Sequence, residues 1–258
     1  METTRSADGT MIAFERSGDG PALVFVVGAF SDRATPREVA ALLAPHFTVH
    51  CYDRRGRGDS GDTPPYAIER EVEDLAAVIV AAGGSALVYG HSSGAVLALE
   101  AAMRTSAVDR LAVYEPPDVV GDDRPRTVGL EARVAGLLAE GRRDDAMEAF
   151  LVEGPQVPRE AVAAMKPSPA WEEMGRLANT LPYDLALLGD QDVPVERLGA
   201  IRVPTVAMCG GDSPRWARNS VAAVAAAIPG ARERTLAGQT HAVAPDVLAP
   251  VIAEAFAG

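Results

Sequence analysis

Three polar residues of the chain, Ser92, Asp212 and His241, could together carry out nucleophilic catalysis. A serine hydroxyl is a weak nucleophile at neutral pH, so it needs a base within hydrogen-bond reach and an acid that orients this base. Ser92 lies in Gly90-His91-Ser92-Ser93-Gly94, between an apolar segment and a longer apolar run. A Gly-x-Ser-x-Gly pattern in this setting is typical of a sharp strand-to-helix turn that exposes the serine hydroxyl. The alternative is a plain turn with a solvated serine.

His241 is the best candidate for the base, because it lies in a loop after the last predicted strand. His91 adjoins Ser92, but we expect its side chain to diverge from the serine across the turn. The other two histidines, His46 and His50, flank a strand on the far side of a helical crossover. The alternative for His241 is a surface histidine without a catalytic role.

Two carboxylates could orient the base. Asp212 follows the strand predicted over Val203–Cys209, and residues at the carboxyl ends of strands face the site in an open α/β sheet. Glu115 also ends a predicted strand, the one next to the strand that precedes Ser92. We predict Asp212 as the acid and keep Glu115 as the second candidate. The structural alternatives are a helix N-cap for Asp212 and a carboxylate bonded to backbone amides for Glu115.

An oxyanion formed at Ser92 would need two backbone amides that point at it. Ser93 directly follows the serine and can supply one of them. We expect the second from the loop after Ala22–Val27, at Ala29 or Phe30, since Gly28 lets this loop approach closely.

The composition narrows the function classes. The chain has 258 residues and a net charge of −12, which argues against binding to nucleic acid or to an anionic membrane. The basic cluster Arg54-Arg55-Gly56-Arg57 is short and ringed by Asp53, Asp59 and Asp62, so we interpret it as a local ion-pair cluster. We find neither a signal-peptide pattern nor an apolar stretch of transmembrane length, and we expect a soluble, cytoplasmic protein.

The cysteines and histidines predict no disulfide and no metal site. Cys51 and Cys209 each end an apolar segment, which is typical of buried free thiols in a reducing compartment. The four histidines lack the spacing of metal ligands. We therefore expect catalysis without a metal or other cofactor.

Strand and helix patterns alternate over residues 22–114 and resume at residue 203, which predicts a mostly parallel α/β sheet flanked by helices. Two segments around an Asp8-Gly9 turn should form an antiparallel edge. The eight predicted strands are Thr3–Ala7, Thr10–Glu15, Ala22–Val27, Phe47–Tyr52, Ala86–Tyr89, Leu111–Tyr114, Val203–Cys209 and Arg232–Leu236.

The alternation stops between residues 118 and 200, where we predict a helical cap inserted between two core segments, 1–117 and 201–258. The predicted cap helices are Arg126–Glu140, Arg143–Val152, Arg159–Met165 and Trp171–Leu181. Ordinary helices flanking the sheet are the alternative. Six residues could line an apolar pocket, or could equally be core: Phe30, Met165, Trp171, Leu177, Leu181 and Trp216.

Four features resemble the α/β-hydrolase superfamily, and specifically its capped, esterase-like branch: Val26-Val27-Gly28-Ala29, residues 52–60 with their Asp-x-Arg-Gly-x-Gly-x-Ser pattern, residues 90–94, and Asp212 followed by His241. The resemblance covers nearly all of the chain outside the cap. It implies the order nucleophile, acid, base, which Ser92, Asp212 and His241 follow. Some dehalogenases of the superfamily take the acid from the strand after the serine turn, near the position of Glu115, so Glu115 stays the second candidate. Many members carry His-Gly at the oxyanion loop, whereas this chain has Val27-Gly28.

The resemblance and the residues together predict a serine hydrolase that cleaves an ester, lactone or thioester of a small apolar molecule through an acyl-enzyme on Ser92. A non-hydrolytic enzyme of the same fold, such as a lyase, isomerase or cyclase, is the alternative, as is a ligand-binding member that uses the same pocket. A structural or interaction module is the third hypothesis.

Overall fold

The computed structural model describes residues 1–123, 125–189 and 192–257. Its centre is an eight-stranded sheet with the strand order β1-β2-β4-β3-β5-β6-β7-β8. The strands are β1 Glu2–Arg5, β2 Met11–Ser17, β3 Ala22–Val26, β4 Thr48–Tyr52, β5 Ala86–His91, β6 Val108–Tyr114, β7 Thr205–Gly210 and β8 Arg232–Leu236. The prediction of a mostly parallel, eight-stranded sheet is confirmed.

The edge formed by the first two strands is antiparallel. β1 pairs with β2, and β2 with β4, in antiparallel register, whereas all later neighbours are parallel. Between β1 and β2, the amide of Gly9 donates to the carbonyl of Ser6 at 2.9 Å, and Gly9 has a φ of +91°. Glycine adopts this left-handed conformation at little cost, which explains the turn at this position.

Helices cover both faces of the sheet. On one face lie α2 (Ile68–Ala81), α3 (Ser93–Arg104) and α10 (Arg215–Ala227), and on the other lie α1 (Arg37–Leu43) and α11 (Pro245–Phe256). Successive side chains of β3 alternate between the two faces: Val24 and Val26 pack towards α2 and α3, whereas Leu23 and Phe25 pack towards α1 and α11. Every residue of α3 from 93 to 101 is buried, as its nearly continuous apolar sequence predicts.

The described residues between β6 and β7 form helices and no named strand. These helices are α4 Leu130–Ala139, α5 Arg143–Glu153, α6 Arg159–Met165, α7 Pro169–Arg176, α8 Leu181–Leu188 and α9 Val195–Leu198. We refer to α4–α8 as the cap helices, because a separate apolar cluster forms among them. Leu187 and Leu198 instead join the apolar cluster of the sheet. The proposed cap boundaries at residues 118 and 200 stay a prediction.

One predicted helix is wrong. The pattern over Trp171–Leu181 predicts a single helix that Pro182 ends, but the structure has α7, a short 3-10 turn at Ala178–Thr180, and then α8. Pro182 lies in the first turn of α8, where a backbone N–H has no hydrogen-bond partner within the helix. Proline can therefore occupy this position without the loss of a helical hydrogen bond. The proline therefore begins a helix at this point.

Two further features of the described residues bear on the sequence-based expectations. Cys51 and Cys209 are buried free thiols, as predicted. None of the helices in the described part of the chain is both long enough and apolar enough to cross a membrane.

Candidate active site

Ser92 occupies a strained turn between β5 and α3. Its backbone has φ 57° and ψ −127°, a conformation that residues other than glycine rarely adopt. The flanking glycines are required by the close packing of the turn: a Cβ on Gly94 would lie 2.2 Å from the carbonyl oxygen of Val26, and one on Gly90 would lie 2.6 Å from that of Gly94. Strand β5 and helix α3 thus fix Ser92 in space, which explains the Gly-x-Ser-x-Gly spacing.

Glu115 and His241 form a close hydrogen-bonded pair. Nδ1 of His241 lies 2.7 Å from Oε2 of Glu115. Glu115 directly follows β6 with a φ of 47° and is completely buried, whereas the side chain of His241 is 48% exposed. A carboxylate at Nδ1 keeps a proton on that nitrogen, so Nε2 is left to accept one. This is the arrangement that a general base beside a serine requires.

The second carboxylate oxygen of Glu115 is also satisfied. It accepts hydrogen bonds from the amide of Gly210 at 2.8 Å and from the hydroxyl of Ser213 at 2.5 Å. Burial acts to raise the pKa of Glu115, but the hydrogen bonds from His241, Ser213 and Gly210 outweigh it and hold the pKa below its ordinary value. Glu115 is therefore a carboxylate at neutral pH.

The expectation that Asp212 lies behind His241 is wrong. Asp212 is exposed in the turn after β7, and its backbone amide donates to the carbonyl of Gln239 at 2.9 Å. The same turn presents Gly210 and Ser213 to Glu115, so that it supports the acid and does not supply it. The sequence analysis does not predict Ser213 as a site residue. Its position next to Asp212, in the turn after β7, is the feature of the sequence that could have indicated it.

His91 packs against the rings of Tyr114 and His241. Its Nδ1 lies 3.1 Å from the hydroxyl of Tyr89, and its ring stacks on Tyr114 with the centroids 5.0 Å apart. The His241 ring lies 4.9 Å away, centroid to centroid, and Tyr114 donates to the carbonyl of Thr240 at 2.7 Å. Burial and the neighbouring His241 lower the pKa of His91 to about 3, so His91 is neutral near pH 7.

The 27–31 loop, between β3 and α1, closely approaches the serine. A Cβ on Gly28 would lie 2.8 Å from the Cβ of Ser92. Ser93 is the first residue of α3, so its amide has no partner within the helix. Among the described residues, the Ala29 amide donates to no acceptor either. Phe30, the other predicted donor, has a left-handed backbone with φ 56°.

Two buried arginines, Arg54 and Arg57, hold this loop. Arg57 Nη1 donates to the carbonyls of Gly28 at 2.5 Å and Ser31 at 3.1 Å. Arg54 Nη1 donates to the carbonyl of Val27 at 3.3 Å. The loop carbonyls thus accept hydrogen bonds from guanidinium groups, which fix the loop beside the serine turn.

The arginine cluster forms ion pairs as predicted, but with other partners. Arg54 pairs with Glu71 and Asp184, and Arg57 pairs with Asp184. Arg55 binds Asp74 and Asp8. The acids that ring the cluster in sequence bind elsewhere: Asp53 and Asp59 pair with Arg33, and Asp62 accepts from the hydroxyl of Tyr183.

Two cavities open onto Ser92. The first, of about 440 Å³, lies under the cap helices and we call it the cap-side cavity. The second, of about 610 Å³, lies beside the start of α1 and we call it the α1-side cavity. Both volumes are typical of small-molecule sites.

The predicted pocket residues divide between the cap-side cavity and the core of the cap. Phe30 and Trp216 line the cap-side cavity. Met165, Trp171 and Leu181 instead pack in the apolar cluster of the cap helices, and Leu177 lines neither cavity. The expectation is therefore wrong for these four. The cavity wall comes from α5, the following loop and α8, through residues such as Phe150, Val157 and Leu185.

A model of the Alpha/beta hydrolase family matches residues 23–253. The chain belongs to the alpha/beta hydrolase family. An alpha/beta hydrolase from Sphaerobacter thermophilus has 55% sequence identity and a TM-score of 0.96, with 99% of this chain and all of that chain covered. An esterase from Rhodococcus sp. has the same fold at 24% identity, with a TM-score of 0.69 over 98% of this chain and 96% of its own.

A pimeloyl-[acyl-carrier protein] methyl ester esterase from Xanthomonas campestris pv. campestris is 37% identical over 120 residues. The match covers 45% of this alpha/beta hydrolase and 46% of that esterase, so the chain spans about half the length of the relative.

Proposed function

We propose that this alpha/beta hydrolase is a serine hydrolase that cleaves an ester, thioester or lactone of a small apolar acid. The observation that carries the proposal is the hydrogen-bonded pair of His241 and buried Glu115 beside the strained Ser92, at the junction of two cavities. The family and the similarity to a methyl ester esterase support an ester substrate.

In the proposed reaction, Nε2 of His241 takes the proton of the Ser92 hydroxyl while Oγ forms a bond to the substrate carbonyl carbon. The carbonyl oxygen becomes an oxyanion and accepts hydrogen bonds from the amides of Ala29 and Ser93. When the tetrahedral intermediate collapses, the bond to the leaving oxygen or sulfur breaks, and His241 gives its proton to this leaving group. Water then attacks the acyl-enzyme in the same way and releases the acid and the serine hydroxyl.

The roles of Glu115 and of the cap-side cavity follow from their surroundings. Glu115 stays ionised and stabilises the imidazolium that forms on His241 in each step. The apolar wall of the cap-side cavity, which includes Phe30, Phe150 and Trp216, suits an acyl chain without charge.

Labelling by a fluorophosphonate probe tests the nucleophile. The native protein should be labelled and should hydrolyse short-chain esters, and Ser92→Ala should lose both activities. Ser106→Ala is the matched control, since Ser106 is exposed beyond the end of α3. Labelling or turnover retained in Ser92→Ala would refute the assignment. Ligand binding without labelling of the native protein would favour a non-hydrolytic or ligand-binding member of the family.

A further inference from the structure

The two cavities at Ser92 share three residues, Ala29, Ser92 and His241. These are the groups that the proposed function uses as oxyanion donor, nucleophile and base. A carbonyl carbon carries two substituents besides its oxygen, and they diverge by about 120° because the carbon is trigonal. A carbonyl placed at this junction therefore has a separate cavity available for each substituent.

The cap-side cavity suits the substituent that stays on the enzyme. Apart from Ser92 and His241, its wall consists largely of apolar side chains. Its two buried carboxylates are already bound, Glu115 by His241 and Asp184 by Arg57 and the Ser93 hydroxyl. An acyl chain remains attached to the serine after the leaving group has gone. A largely apolar wall stabilises such a chain by keeping it out of water.

The α1-side cavity has a different construction. Its inner wall is apolar and includes buried Phe25, Val39 and Leu248. Its outer rim includes Thr35 and Arg37, which are exposed, so that this cavity reaches solvent. A leaving group must depart and water must enter between the two steps of the reaction, and a cavity open to solvent allows both.

The rim of the α1-side cavity favours a neutral, hydroxylated group. Ser31 and Thr35 offer hydroxyl groups, and Arg37 is the cation of the rim. Among the residues that line this cavity, Glu38 carries the opposite charge, so the rim has one charge of each sign; outside the cavity, Glu15 lies 3.7 Å from Arg37. The rim thus offers hydrogen bonds without an uncompensated charge for a phosphate or an ammonium group.

We propose that the α1-side cavity is a second substrate site, which binds the polar alcohol or thiol half of an acyclic ester whose apolar acyl half occupies the cap-side cavity. This inference rests on the proposed function and narrows its substrate class. A small unsubstituted lactone joins both halves in one ring and cannot place them in separate cavities, so acyclic esters of a polyol should be better substrates than such a lactone. A methyl ester should leave the α1-side cavity empty.

Two esters with the same acyl chain test the proposal: 1-hexanoylglycerol and methyl hexanoate. The native protein should show a kcat/KM at least about tenfold higher for the glycerol ester, since several added contacts are worth that much discrimination. Ala34→Trp fills the α1-side cavity from a partly exposed loop position. It should lower kcat/KM for the glycerol ester by a larger factor than kcat/KM for methyl hexanoate, which places no group in this cavity, so that the preference is lost.

Matched variants separate the two cavities. Ser106→Trp, an equally bulky change at an exposed position outside both cavities, should keep the native preference, whereas Val157→Trp, which fills the cap-side cavity, should lower kcat/KM for both hexanoate esters. Equal kcat/KM values for the two esters in the native protein, or equal losses on both in Ala34→Trp, would overturn the second site.

Fluorophosphonate labelling distinguishes the failure of this inference from that of the proposed function. A native protein that is labelled at Ser92 but has no preference for the glycerol ester, or cleaves neither ester, refutes the second site and leaves the serine hydrolase standing. A native protein that is neither labelled nor active overturns both. Labelling of Ala34→Trp at the native rate shows that this variant keeps its fold around Ser92.

Discussion

Asp184, on the cap helix α8, accepts hydrogen bonds from Nη2 of Arg57 at 2.9 and 2.8 Å, one to each carboxylate oxygen. The same carboxylate accepts from the hydroxyl of Ser93 at 2.7 Å, and Ser93 directly follows the proposed nucleophile. Arg57 in turn donates to the carbonyls of Gly28 and Ser31. One buried carboxylate of the cap helices therefore connects the serine turn with the loop that approaches it.

Replacing Asp184 should impair both stability and catalysis. In Asp184→Asn, Arg57 loses its carboxylate partner while it stays buried, and removing one partner of a buried ion pair costs about 3–5 kcal/mol of unfolding free energy. The Gly28 and Ser31 carbonyls would then be held by an uncompensated cation, and the Ala29 amide should shift. We expect kcat to fall about tenfold or more with a smaller change in KM, measured below the unfolding transition.

Asp74→Asn is the matched control for this prediction. Asp74 is also buried and binds Arg55 through two hydrogen bonds, but this pair has no contact with the 27–31 loop among the described residues. Urea unfolding should show a loss of stability in Asp74→Asn as well, while kcat stays near the native value. Equal reductions of kcat in the two variants would mean that Asp184 acts through stability alone.

The identity of the acid gives the second prediction. Glu115→Gln keeps the shape of the side chain but removes the charge that stabilises protonated His241, and a comparable change in a serine triad lowers kcat about 10⁴-fold. We expect a loss of at least about 10³-fold. Asp212→Asn should stay within about threefold of the native rate, because Asp212 is exposed in the turn and Glu115 holds His241. The reverse order in an ester assay would restore Asp212 as the acid.

The acid could not be chosen from the sequence because the decisive contact is tertiary. Both Glu115 and Asp212 follow parallel strands, β6 and β7, that are neighbours in the sheet. Which carboxylate reaches His241 depends on how the two turns fold after these strands. The strained serine turn, by contrast, is encoded locally by Gly90 and Gly94, and the structure has the sharp turn that their spacing predicts.

The ion-pair partners of the arginine cluster could not be predicted from the sequence either, because they also depend on tertiary contacts. Arg54 and Arg57 lie 130 and 127 residues from Asp184 in the chain. Asp184 belongs to α8, which the sequence pattern does not predict because a proline such as Pro182 usually ends a helix. The positive charges of the cluster predict that acidic residues neutralise it, but the packing of the cap helices determines which acidic residue does so.

The neutral His91 should make stability depend on pH. Its folded pKa of about 3 lies below its ordinary value of 6.5, so the unfolded chain binds a proton more readily between these values. The stabilisation is complete above pH 6.5 and is lost as the pH falls towards 3. Between pH 7 and pH 5 this group should cost about 2 kcal/mol of unfolding free energy.

Urea unfolding of the native protein and of His91→Asn at both pH values measures this contribution. Other groups with a shifted pKa, such as Glu115, contribute to the pH dependence of both proteins. The difference between the two pH dependences therefore measures the contribution of His91. Asparagine keeps a hydrogen-bonding group near Tyr89 but does not titrate. Parallel pH dependences would show that His91 is protonated as easily in the folded protein as in the unfolded chain.

Gly28 should be essential for activity although its backbone is not in the left-handed region. A Cβ at this position would lie 2.8 Å from the Cβ of Ser92 and 2.9 Å from the carbonyl oxygen of His91. The strained turn at Ser92 is fixed by β5 and α3, so the 27–31 loop must move and carry the Ala29 amide with it. Loss of one oxyanion donor lowers kcat about 10²- to 10³-fold, and we expect a decrease of this size in Gly28→Ala.

Gly136→Ala is the control for the added methyl group. Gly136 lies within α4, and a Cβ there meets no atom within 4 Å among the described residues. This variant should keep the native kcat and gain about 0.5–1 kcal/mol of unfolding free energy, because alanine loses less backbone entropy in a helix. Gly28→Ala should still react with a fluorophosphonate, but slowly, because the nucleophile and base remain. A native labelling rate and a native kcat in Gly28→Ala would mean that the loop accommodates the methyl group without moving the Ala29 amide, and the oxyanion donor would then have to lie elsewhere.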